Sequence, residues 1–402
     1  PRDWSSDVCS SDLYTPAIPH DNVVLNYLKG KGVVMLKRSQ VLGMVTSGAF
    51  CVAVAGTHGK TTTSTMIAHL LKHSGRNVTA FLGGIAANYN TNLLLANGDS
   101  RELMIAEADE YDRSFLQLNP DIEVITSLDA DHLDIYGNHQ SMIKSYDDFT
   151  TCLKAEGLIY LKHGIELPSA NNKKTYSAPA TQADAFAENV TIDNGSYVFD
   201  FKSGQTAING FRLDCPGLHN VENAVAAILV GIEMGLSVEE LKAGIGSFKG
   251  VKRRFEYVLK NEKMVLIDDY AHHPTELKAA ITTVRELYPG KKILGIFQPH
   301  LYSRTRDFVD GFAESLSLLD SLILLEIYPA RELPIPGVTS SMILDRVNIA
   351  DKKVCEKSKL TSLIEHSDAE IVVTLGAGDI DALVQPIATL LKNKTEYNKE
   401  AI

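Results

Sequence analysis

A glycine-containing loop carries the most evident chemistry of this 402-residue chain. It follows an apolar run at 50–54, precedes a pattern of helical spacing, and reads Gly56-Thr57-His58-Gly59-Lys60-Thr61, with Thr62 next. In such a loop the backbone N–H groups and the dipole of the following helix point at bound phosphate. Lys60 would contact the β- and γ-phosphates, and Thr61 would ligate Mg²⁺. The loop therefore predicts the use of ATP and magnesium, with an ordinary strand-to-helix turn as the alternative.

Polar segments with several acidic residues follow two of the predicted strands. Glu107 follows the apolar run at 103–106, and His132 lies in the segment DADHLD after the run at 124–128. Ligands bind at the carboxyl ends of parallel strands, so both segments should lie beside the phosphate loop. Acidic groups next to phosphates require cations between them, which makes Glu107 and His132 candidate magnesium ligands. The alternative is that these residues cap helices or lie in solvated loops. His132 is the weaker candidate because magnesium prefers oxygen ligands.

Further polar residues lie at the ends of predicted strands and at the start of a helix. Asn220 and Asn223 would either hydrogen-bond an adenine edge or serve as a helix cap and a surface residue. In the last third of the chain, three predicted strands end in polar segments that one crevice would collect. These segments are DDYAHHP, QPHLYSRTR and GAGD. The adjacent residues His272 and His273 are unusual for a purely structural turn, although a capping role for one of them is an alternative.

The elements that would position these residues form two α/β units. From residue 50 to about 234, short apolar strands alternate with helices, which is typical of a mostly parallel sheet covered on both faces. The dipeptide Asn194-Gly195 predicts a small antiparallel excursion at the edge of that sheet. A second alternation predicts a Rossmann-like C-terminal α/β domain, with strands near 264–267, 293–297, 322–325 and 371–375. We assign residues 49–250 to a central P-loop domain and residues 251–402 to the C-terminal domain.

The N-terminal residues and the composition narrow the remaining possibilities. Residues 1–13 follow neither a strand nor a helix period, which indicates foreign or disordered sequence, and a short helix is expected at 37–45. A net charge of −11, without a cluster of Lys or Arg, argues against nucleic-acid binding. No apolar run approaches the roughly 20 residues that span a bilayer, so we expect no membrane insertion and a cytoplasmic protein. The five scattered cysteines indicate mostly buried thiols, and the sequence does not predict an oligomeric state.

Eight motifs, taken in order, resemble those of the ATP-dependent Mur ligases of peptidoglycan synthesis. They are AGTHGKTTT, EADEYDRSFL, DADHLD, HNVEN, KRRFE, DDYAHHPTE, QPHLYSRTRD and GAGDI. The phosphate loop has Val54 in place of the first glycine of the standard pattern, and this short form is the one that the family uses. His58 favours the branch that joins L-alanine to UDP-N-acetylmuramate, or its relative that recycles murein tripeptide. The resemblance extends from about residue 14 to the C-terminus and implies a ligase of cell-wall biogenesis.

The resemblance implies a role for each matching residue. ATP would phosphorylate the lactyl carboxylate of UDP-N-acetylmuramate, and the amine of L-alanine would attack the acyl phosphate and release phosphate. Lys60 would stabilise the transferred phosphoryl group, while Thr61 holds one Mg²⁺ and Glu107 and His132 hold a second. At the nucleotide, the resemblance places Asn220 and Asn223 beside adenine and adds Arg254 and Asp269 from the C-terminal domain. The residues that it places at the incoming amino acid are Tyr270, His272, His300 and Arg304.

The chain departs from the family pattern at two places. The family has an N-terminal UDP-binding domain that opens with a glycine-rich turn. Residues 1–50 lack such a turn, so we expect residues 14–48 to be a remnant of that domain. Leu301 stands where many members carry a basic residue, which bears on how a substrate carboxylate is recognised.

Three alternatives to the alanine-adding ligase follow from the sequence. They are a murein tripeptide ligase, a nucleotide-binding switch or small-molecule kinase, and a fragment that binds ATP without ligating. Because the implied site residues come from two domains, we also expect the domains to close and exclude water from the acyl phosphate.

Overall fold

The structure is a computed structural model that describes residues 11–15, 18, 21–98, 103–130, 133–179, 181–193, 195–330 and 332–397. The predicted ligand His132, the turn residue Asn194 and residues 1–10 of the segment expected to be foreign or disordered lie outside the described residues. Within the described ranges, no helix is both long enough and apolar enough to cross a membrane.

A small N-terminal unit precedes the two main sheets. Its elements are β1 (Ser11–Tyr14), α1 (Val23–Gly30), β2 (Val34–Lys37) and α2 (Arg38–Thr46). The two strands pair in parallel. Helix α1 begins where the side chain of Asn22 accepts a hydrogen bond from Leu25 N at 3.0 Å. Helix α2 confirms the helix expected at 37–45. Lys37 Nζ lies 2.6 Å from Asp112 Oδ2, which ties this unit to the central one.

The central unit is a ten-stranded sheet with helices on both faces. Its strands are β3 (Phe50–Ala55), β4 (Thr79–Ala86), β5 (Thr91–Leu94), β6 (Leu103–Glu107), β7 (Ile122–Ile125), β8 (Leu158–Lys162), β9 (Lys173–Ser177), β10 (Ala185–Asp193), β11 (Ser196–Ser203) and β12 (Thr206–Leu213). Its helices are α3 (Lys60–His73), α4 (Leu133–Tyr136), α5 (His139–Thr150), α6 (Leu218–Glu233) and α7 (Val238–Ser247), with a 3₁₀ helix at Tyr111–Gln117. The spatial order is β12-β11-β10-β9-β8-β7-β3-β6-β4-β5.

The strands in the middle of this sheet are apolar because both of their faces are covered. On β3, Val52 and Val54 face a cluster that contains Met66 of α3, while Ala53 faces a second cluster that contains Phe149 of α5. The sheet is parallel from β10 to β4, and the antiparallel pairs lie at its two edges. The mostly parallel sheet with an antiparallel excursion around 185–203 is therefore confirmed.

The strand expected at 124–128 is wrong in its bounds, since β7 spans Ile122–Ile125. The residues that follow contact the phosphate loop. Thr126 N donates to Ala55 O at 2.9 Å, and Thr57 N donates to Ser127 O at 3.1 Å. The strand ends at Ile125 because the backbone of Thr126 and Ser127 turns to hydrogen-bond with the end of β3 and with the phosphate loop.

The C-terminal unit contains a six-stranded sheet. Its strands are β13 (Glu256–Lys260), β14 (Val265–Asp269), β15 (Ile293–Phe297), β16 (Ser321–Leu324), β17 (Asp351–Val354) and β18 (Ile371–Leu375). Their spatial order is β13-β14-β18-β15-β16-β17. Its helices are α8 (Pro274–Leu287), α9 (Tyr302–Asp307), α10 (Val309–Leu316), α11 (Ser340–Leu344), α12 (Leu360–Glu365) and α13 (Asp381–Tyr397), with a 3₁₀ helix at Lys357–Lys359. The edge strand β13 is antiparallel to β14, and the other pairs are parallel. The second α/β unit expected from the sequence is thus confirmed.

A linker at 250–255 joins the two large units and runs beside the end of β4. Ala87 N donates to Gly250 O at 3.0 Å, and Lys252 N donates to Ile85 O at 2.9 Å. Arg253 and Phe255 have positive φ angles of 61° and 51°. Non-glycine residues adopt this conformation at a cost of about 1 kcal/mol or more, so the surrounding hydrogen bonds hold the linker in one path.

Candidate active site

The phosphate loop lies between β3 and α3, as the sequence predicts. Gly56 has a φ of 132°, and a Cβ atom there would lie 2.2 Å from Thr126 Oγ1. Gly59 has a φ of 85° and immediately precedes Lys60, the first residue of α3. Both glycines are required by the path of the backbone. The loop consequently aims the free N–H groups at the start of α3 into the cavity described below.

A neighbouring segment, which the sequence analysis did not select, holds the loop in place. Thr57 Oγ1 and Ser127 Oγ lie 2.7 Å apart, and His58 N donates to Ser127 Oγ at 2.7 Å. Thr126 Oγ1 donates to His58 O. The sequence signal for this contact was the pair Thr126-Ser127, two consecutive hydroxyl residues after a buried strand. The sequence alone does not show that they contact a loop about 70 residues earlier.

Lys60 is paired with a carboxylate that is also absent from the residues predicted from the sequence. Its Nζ lies 2.8 Å from Glu110 Oε2 and donates to Gly56 O at 2.5 Å. The side chain of Glu110 is only 1% exposed. Burial lowers the pKa of Lys60, but the charges of Glu110 and Glu107 more than offset this effect and raise it. Lys60 is therefore a fixed positive charge at the phosphate loop.

Thr61 and Glu107 meet at the mouth of the loop. Thr61 Oγ1 donates to Glu107 Oε1 at 2.9 Å, and Gly83 N of β4 donates to Glu107 Oε2 at 2.8 Å. These oxygens suit Mg²⁺, which binds through one or two protein oxygens together with phosphate oxygens and water. Among the described residues, no group of three or more His, Cys, Asp or Glu side chains forms a complete metal site. Thr61 and Glu107 thus fit a Mg²⁺ ion whose remaining ligands would be phosphate oxygens and water.

Asn220 and Asn223 line the cavity from the first turns of α6, after the turn at Gly217. Asn220 Nδ2 donates to Pro216 O at 2.5 Å, and Asn223 Nδ2 donates to Asn220 Oδ1 at 3.2 Å. Both side chains are buried. The helix cap is Gly217, so Asn220 is not the N-cap that the sequence analysis considered as an alternative.

The C-terminal unit contributes the residues that follow β14. Asp269 Oδ2 accepts from Phe255 N and Asp269 Oδ1 accepts from Ala271 N, both at 2.7 Å. Burial raises the pKa of Asp269 to about 6, against the opposing charge of Arg254. The guanidinium of Arg254 lies 5.1 Å from the centre of the Tyr270 ring, within cation–π range. The predicted residues Arg254, Asp269 and Tyr270 are therefore neighbours.

Glu276, which is not among the residues predicted from the sequence, connects the two units. Its Oε1 lies 3.3 Å from His58 Nδ1 and 3.4 Å from Arg254 Nη1. Its Oε2 accepts from His272 N at 3.0 Å and lies 3.2 Å from His272 Nδ1. His58 also lies 3.4 Å from Asp129 Oδ2 on its other side. Glu276 is the third residue of α8, and an acid in the first turn of a helix is ordinarily read as a response to the helix dipole.

One cavity of about 550 Å³ collects residues of both units. From the central unit it is lined by Lys60, Thr61, Glu107, Asn220 and Asn223, among others, and from the C-terminal unit by Arg254, Asp269, Tyr270, His272 and Glu276. Of the predicted residues in the described ranges, Gly56, His300 and Arg304 do not line it. The His300 ring stacks on Tyr328 and lies 5.9 Å from the His272 ring, while Arg304 is buried in α9. The cavity brings together the phosphate loop with Lys60, the Thr61–Glu107 pair, and a C-terminal cluster that contains both Arg254 and the carboxylates of Asp269 and Glu276.

Two sequence profiles match most of the chain. A profile described as the Mur ligase middle domain matches residues 54–231, and one described as the Mur ligase, glutamate ligase domain matches residues 253–378. The gap between the two matches contains the first half of the linker that passes β4, residues 250–252.

Individual proteins resemble the chain over most of its length. A UDP-N-acetylmuramate–L-alanine ligase of Cytophaga hutchinsonii is 48% identical over 385 residues, which cover 95% of this chain and 83% of that protein. A ligase of the same name from Phocaeicola vulgatus is 49% identical over 385 residues and is covered to 84%. Among solved structures, a UDP-N-acetylmuramate–alanine ligase of Thermotoga maritima has a TM-score of 0.80 at 26% identity, covering 96% of this chain and 85% of the other.

Proposed function

Because the chain belongs to the Mur ligase family, we propose that it joins L-alanine to the lactyl carboxylate of UDP-N-acetylmuramate and consumes ATP. The observation that carries this proposal is the shared cavity. Lys60 and Thr61 of the phosphate loop face Arg254, His272 and Glu276 of the C-terminal unit across one space. A nucleotide phosphate and an amino acid could therefore be held next to each other, as an acyl-phosphate mechanism requires.

In the first step, an oxygen of the lactyl carboxylate attacks the γ-phosphorus of ATP, and ADP leaves. Lys60 carries the positive charge that this step needs, because it is fixed 2.8 Å from Glu110 and remains protonated. Backbone N–H groups at the start of α3 add partial positive charge without reorganising. Thr61 and Glu107 are the described residues that would hold Mg²⁺, which would neutralise phosphate and carboxylate oxygens brought close together.

In the second step, the amine of L-alanine, after its ammonium group has released one proton to solvent, attacks the acyl carbon. The C–N bond forms as the acyl C–O bond to phosphate breaks, and the departing phosphate takes up the second proton. Arg254 and His272 lie on the C-terminal side of the cavity, where positive charge would stabilise the departing phosphate or bind the carboxylate of the amino acid. The use of ATP and UDP-linked substrates is consistent with a cytoplasmic location, which the proposal includes.

The test is a measurement of phosphate release from ATP and Mg²⁺ with UDP-N-acetylmuramate and L-alanine, added singly and together. We expect sustained release only when both are present, together with formation of the UDP-N-acetylmuramoyl-alanine product by mass spectrometry. Release that requires murein tripeptide in place of alanine would assign the recycling reaction. ATP binding without stimulation by either acceptor would instead favour a fragment that does not ligate, and release independent of amino acid would favour a kinase or switch.

A further inference from the structure

Glu276 is a nearly buried carboxylate at the boundary between the two units, and its side chain is 13% exposed. It lines the cavity between the phosphate-loop residue His58 and the C-terminal residue His272. A carboxylate offers about four acceptor positions. Glu276 accepts from His272 N at 3.0 Å and from Arg254 Nη1 at 3.4 Å, and His272 Nδ1 and His58 Nδ1 lie 3.2 and 3.3 Å away. The three side-chain contacts lie at or beyond about 3.2 Å, the upper end of the usual N–H···O range, so a closer donor can replace one of them.

The charge of Glu276 is stable at physiological pH. Burial raises the pKa of Glu276, but the charges of His272, His58 and Arg254 and a hydrogen bond from His58 outweigh burial and hold it well below its ordinary range. The carboxylate is consequently a poor base and a persistent anion. Such a group binds a cation rather than removing its proton.

The other carboxylates around the cavity are committed to partners of their own. Both oxygens of Asp269 accept backbone N–H groups at 2.7 Å. Glu110 pairs with Lys60, Glu107 pairs with Thr61 and Gly83 N, and Glu222 pairs with Lys162 at 2.8 Å. Asp129 lies beyond His58, and its side chain is 47% exposed. Glu276 also has partners, but among the described lining carboxylates it is placed between the units, since it contacts His58 of the central unit as well as Arg254 and His272 on the C-terminal side, and a small cation held there would lie between the two units.

We propose that Glu276 binds the ammonium group of the incoming amino acid and thereby sets its nitrogen beside the phosphate loop. This assignment rests on the proposed ligase function and names the residue that recognises the amine. An α-amino acid enters as a zwitterion, so its ammonium group needs an anionic partner that separates it from the positive charges of Lys60 and Arg254. The contact of Glu276 with His58 keeps the amine close to the loop at which the acyl phosphate forms.

The test separates acyl-phosphate formation from amine attack. Hydroxylamine is largely uncharged at neutral pH, and it converts an acyl phosphate to a hydroxamate without needing an ammonium site. In Glu276→Gln, we expect hydroxamate formation from ATP, Mg²⁺ and UDP-N-acetylmuramate within about twofold of wild type, whereas the KM for L-alanine rises about 10- to 100-fold, the loss typical of a charged hydrogen bond. Glu276→Asp, which keeps the charge, should recover part of the alanine-dependent rate. It also provides a second test if Glu276→Gln fails to fold.

A matched control is Glu314→Gln, which removes an exposed acid that pairs with Lys278 at 3.0 Å and should leave both activities unchanged. Equal losses of hydroxamate formation and ligation in Glu276→Gln would overturn the inference, because they would assign Glu276 to the phosphate loop through His58. An unchanged KM for L-alanine would also overturn it. A wild-type protein that forms no hydroxamate would instead refute the proposed function, and the inference with it.

Discussion

At the scale of single residues, the phosphate loop is organised by one buried ion pair. Lys60 and Glu110 lie 2.8 Å apart, with exposed fractions of 14% and 1%. In the structure, the negative charge of Glu110 compensates the positive charge of Lys60, which a bound phosphate would otherwise compensate. Removing one member of a buried pair leaves an uncompensated charge, which costs more than removing both.

This pair yields a prediction for stability. Glu110→Gln should lower the free energy of unfolding by up to about 3 kcal/mol, because Lys60 then keeps its charge without its partner. The double variant Lys60→Met with Glu110→Gln should recover a large part of that loss. Urea denaturation of the wild type, the two single variants and the double variant measures the coupling. Additive effects of the two substitutions would show that the pair does not stabilise the loop.

At the scale of elements, strand β4 sets the position of Glu107 on the neighbouring strand β6. Gly83 N donates to Glu107 Oε2, and a Cβ at Gly83 would lie 2.3 Å from Glu107 Oε1. We therefore expect Gly83→Ala to displace the carboxylate and to raise the Mg²⁺ concentration for half-maximal phosphate release by about tenfold or more, as changes next to metal ligands do. Gly48→Ala is the control, since a Cβ there meets no heavy atom within 4 Å. A magnesium titration of Gly83→Ala that coincides with wild type would remove Glu107 from the metal site.

Strand β7 carries a buried acid that the proposed chemistry does not use. Glu123 is 0% exposed, and neither of its carboxylate oxygens has a hydrogen-bond partner among the described residues. Burial raises the pKa of Glu123 from 4.5 to about 9. Between these values the folded protein holds a proton that the unfolded chain has released, so the contribution of Glu123 to stability falls as the pH rises through this window.

Glu123→Met should therefore stabilise the central unit, by about 1–3 kcal/mol near pH 8, because a side chain of similar length replaces an unpaired polar group. The gain should be larger at pH 8 than at pH 6. Urea unfolding midpoints of both proteins at the two pH values test this expectation. A gain that is independent of pH would mean that Glu123 does not titrate in this range.

At the scale of the whole molecule, the cavity is lined by residues of both units. Arg254 lies in the linker and faces Glu276 Oε1 at 3.4 Å. We expect Arg254→Ala to reduce turnover by about 100-fold or more, as loss of a charged group at a developing negative charge does, with a much smaller effect on ATP binding. Calorimetric titration of ATP and steady-state phosphate release provide the two measurements.

The control for this substitution is Arg346→Ala, which removes an exposed arginine that pairs with Asp310 at 3.0 Å. Its turnover and its ATP affinity should match wild type. If Arg254→Ala lowered ATP affinity and turnover by the same factor, Arg254 would act in nucleotide binding, and the expected closure of the two units would lose its support.

The sequence predicts the features that depend on neighbouring residues. The phosphate loop, the strand–helix alternation and strands such as β15 and β18 follow from local apolar runs and glycine spacing, and the structure has them at the expected positions. The contacts of Ser127 and of Glu276 with His58 join segments that are far apart in the chain, the second of them in different units, which spacing does not reveal. Glu110 and Glu123 were missed for another reason, since acids are usually solvated and only the three-dimensional structure identifies the buried ones.

The linker beside β4 couples the position of the C-terminal unit to that of Glu107. Backbone hydrogen bonds join the linker to Ile85 and Ala87, two to four residues beyond Gly83, whose N–H group holds Glu107. A rotation of the C-terminal unit would therefore displace the segment of chain whose N–H group positions the Glu107 carboxylate. We expect the linker and the Glu107 carboxylate to move together, so that a ligand that rotates the C-terminal unit would also displace Glu107.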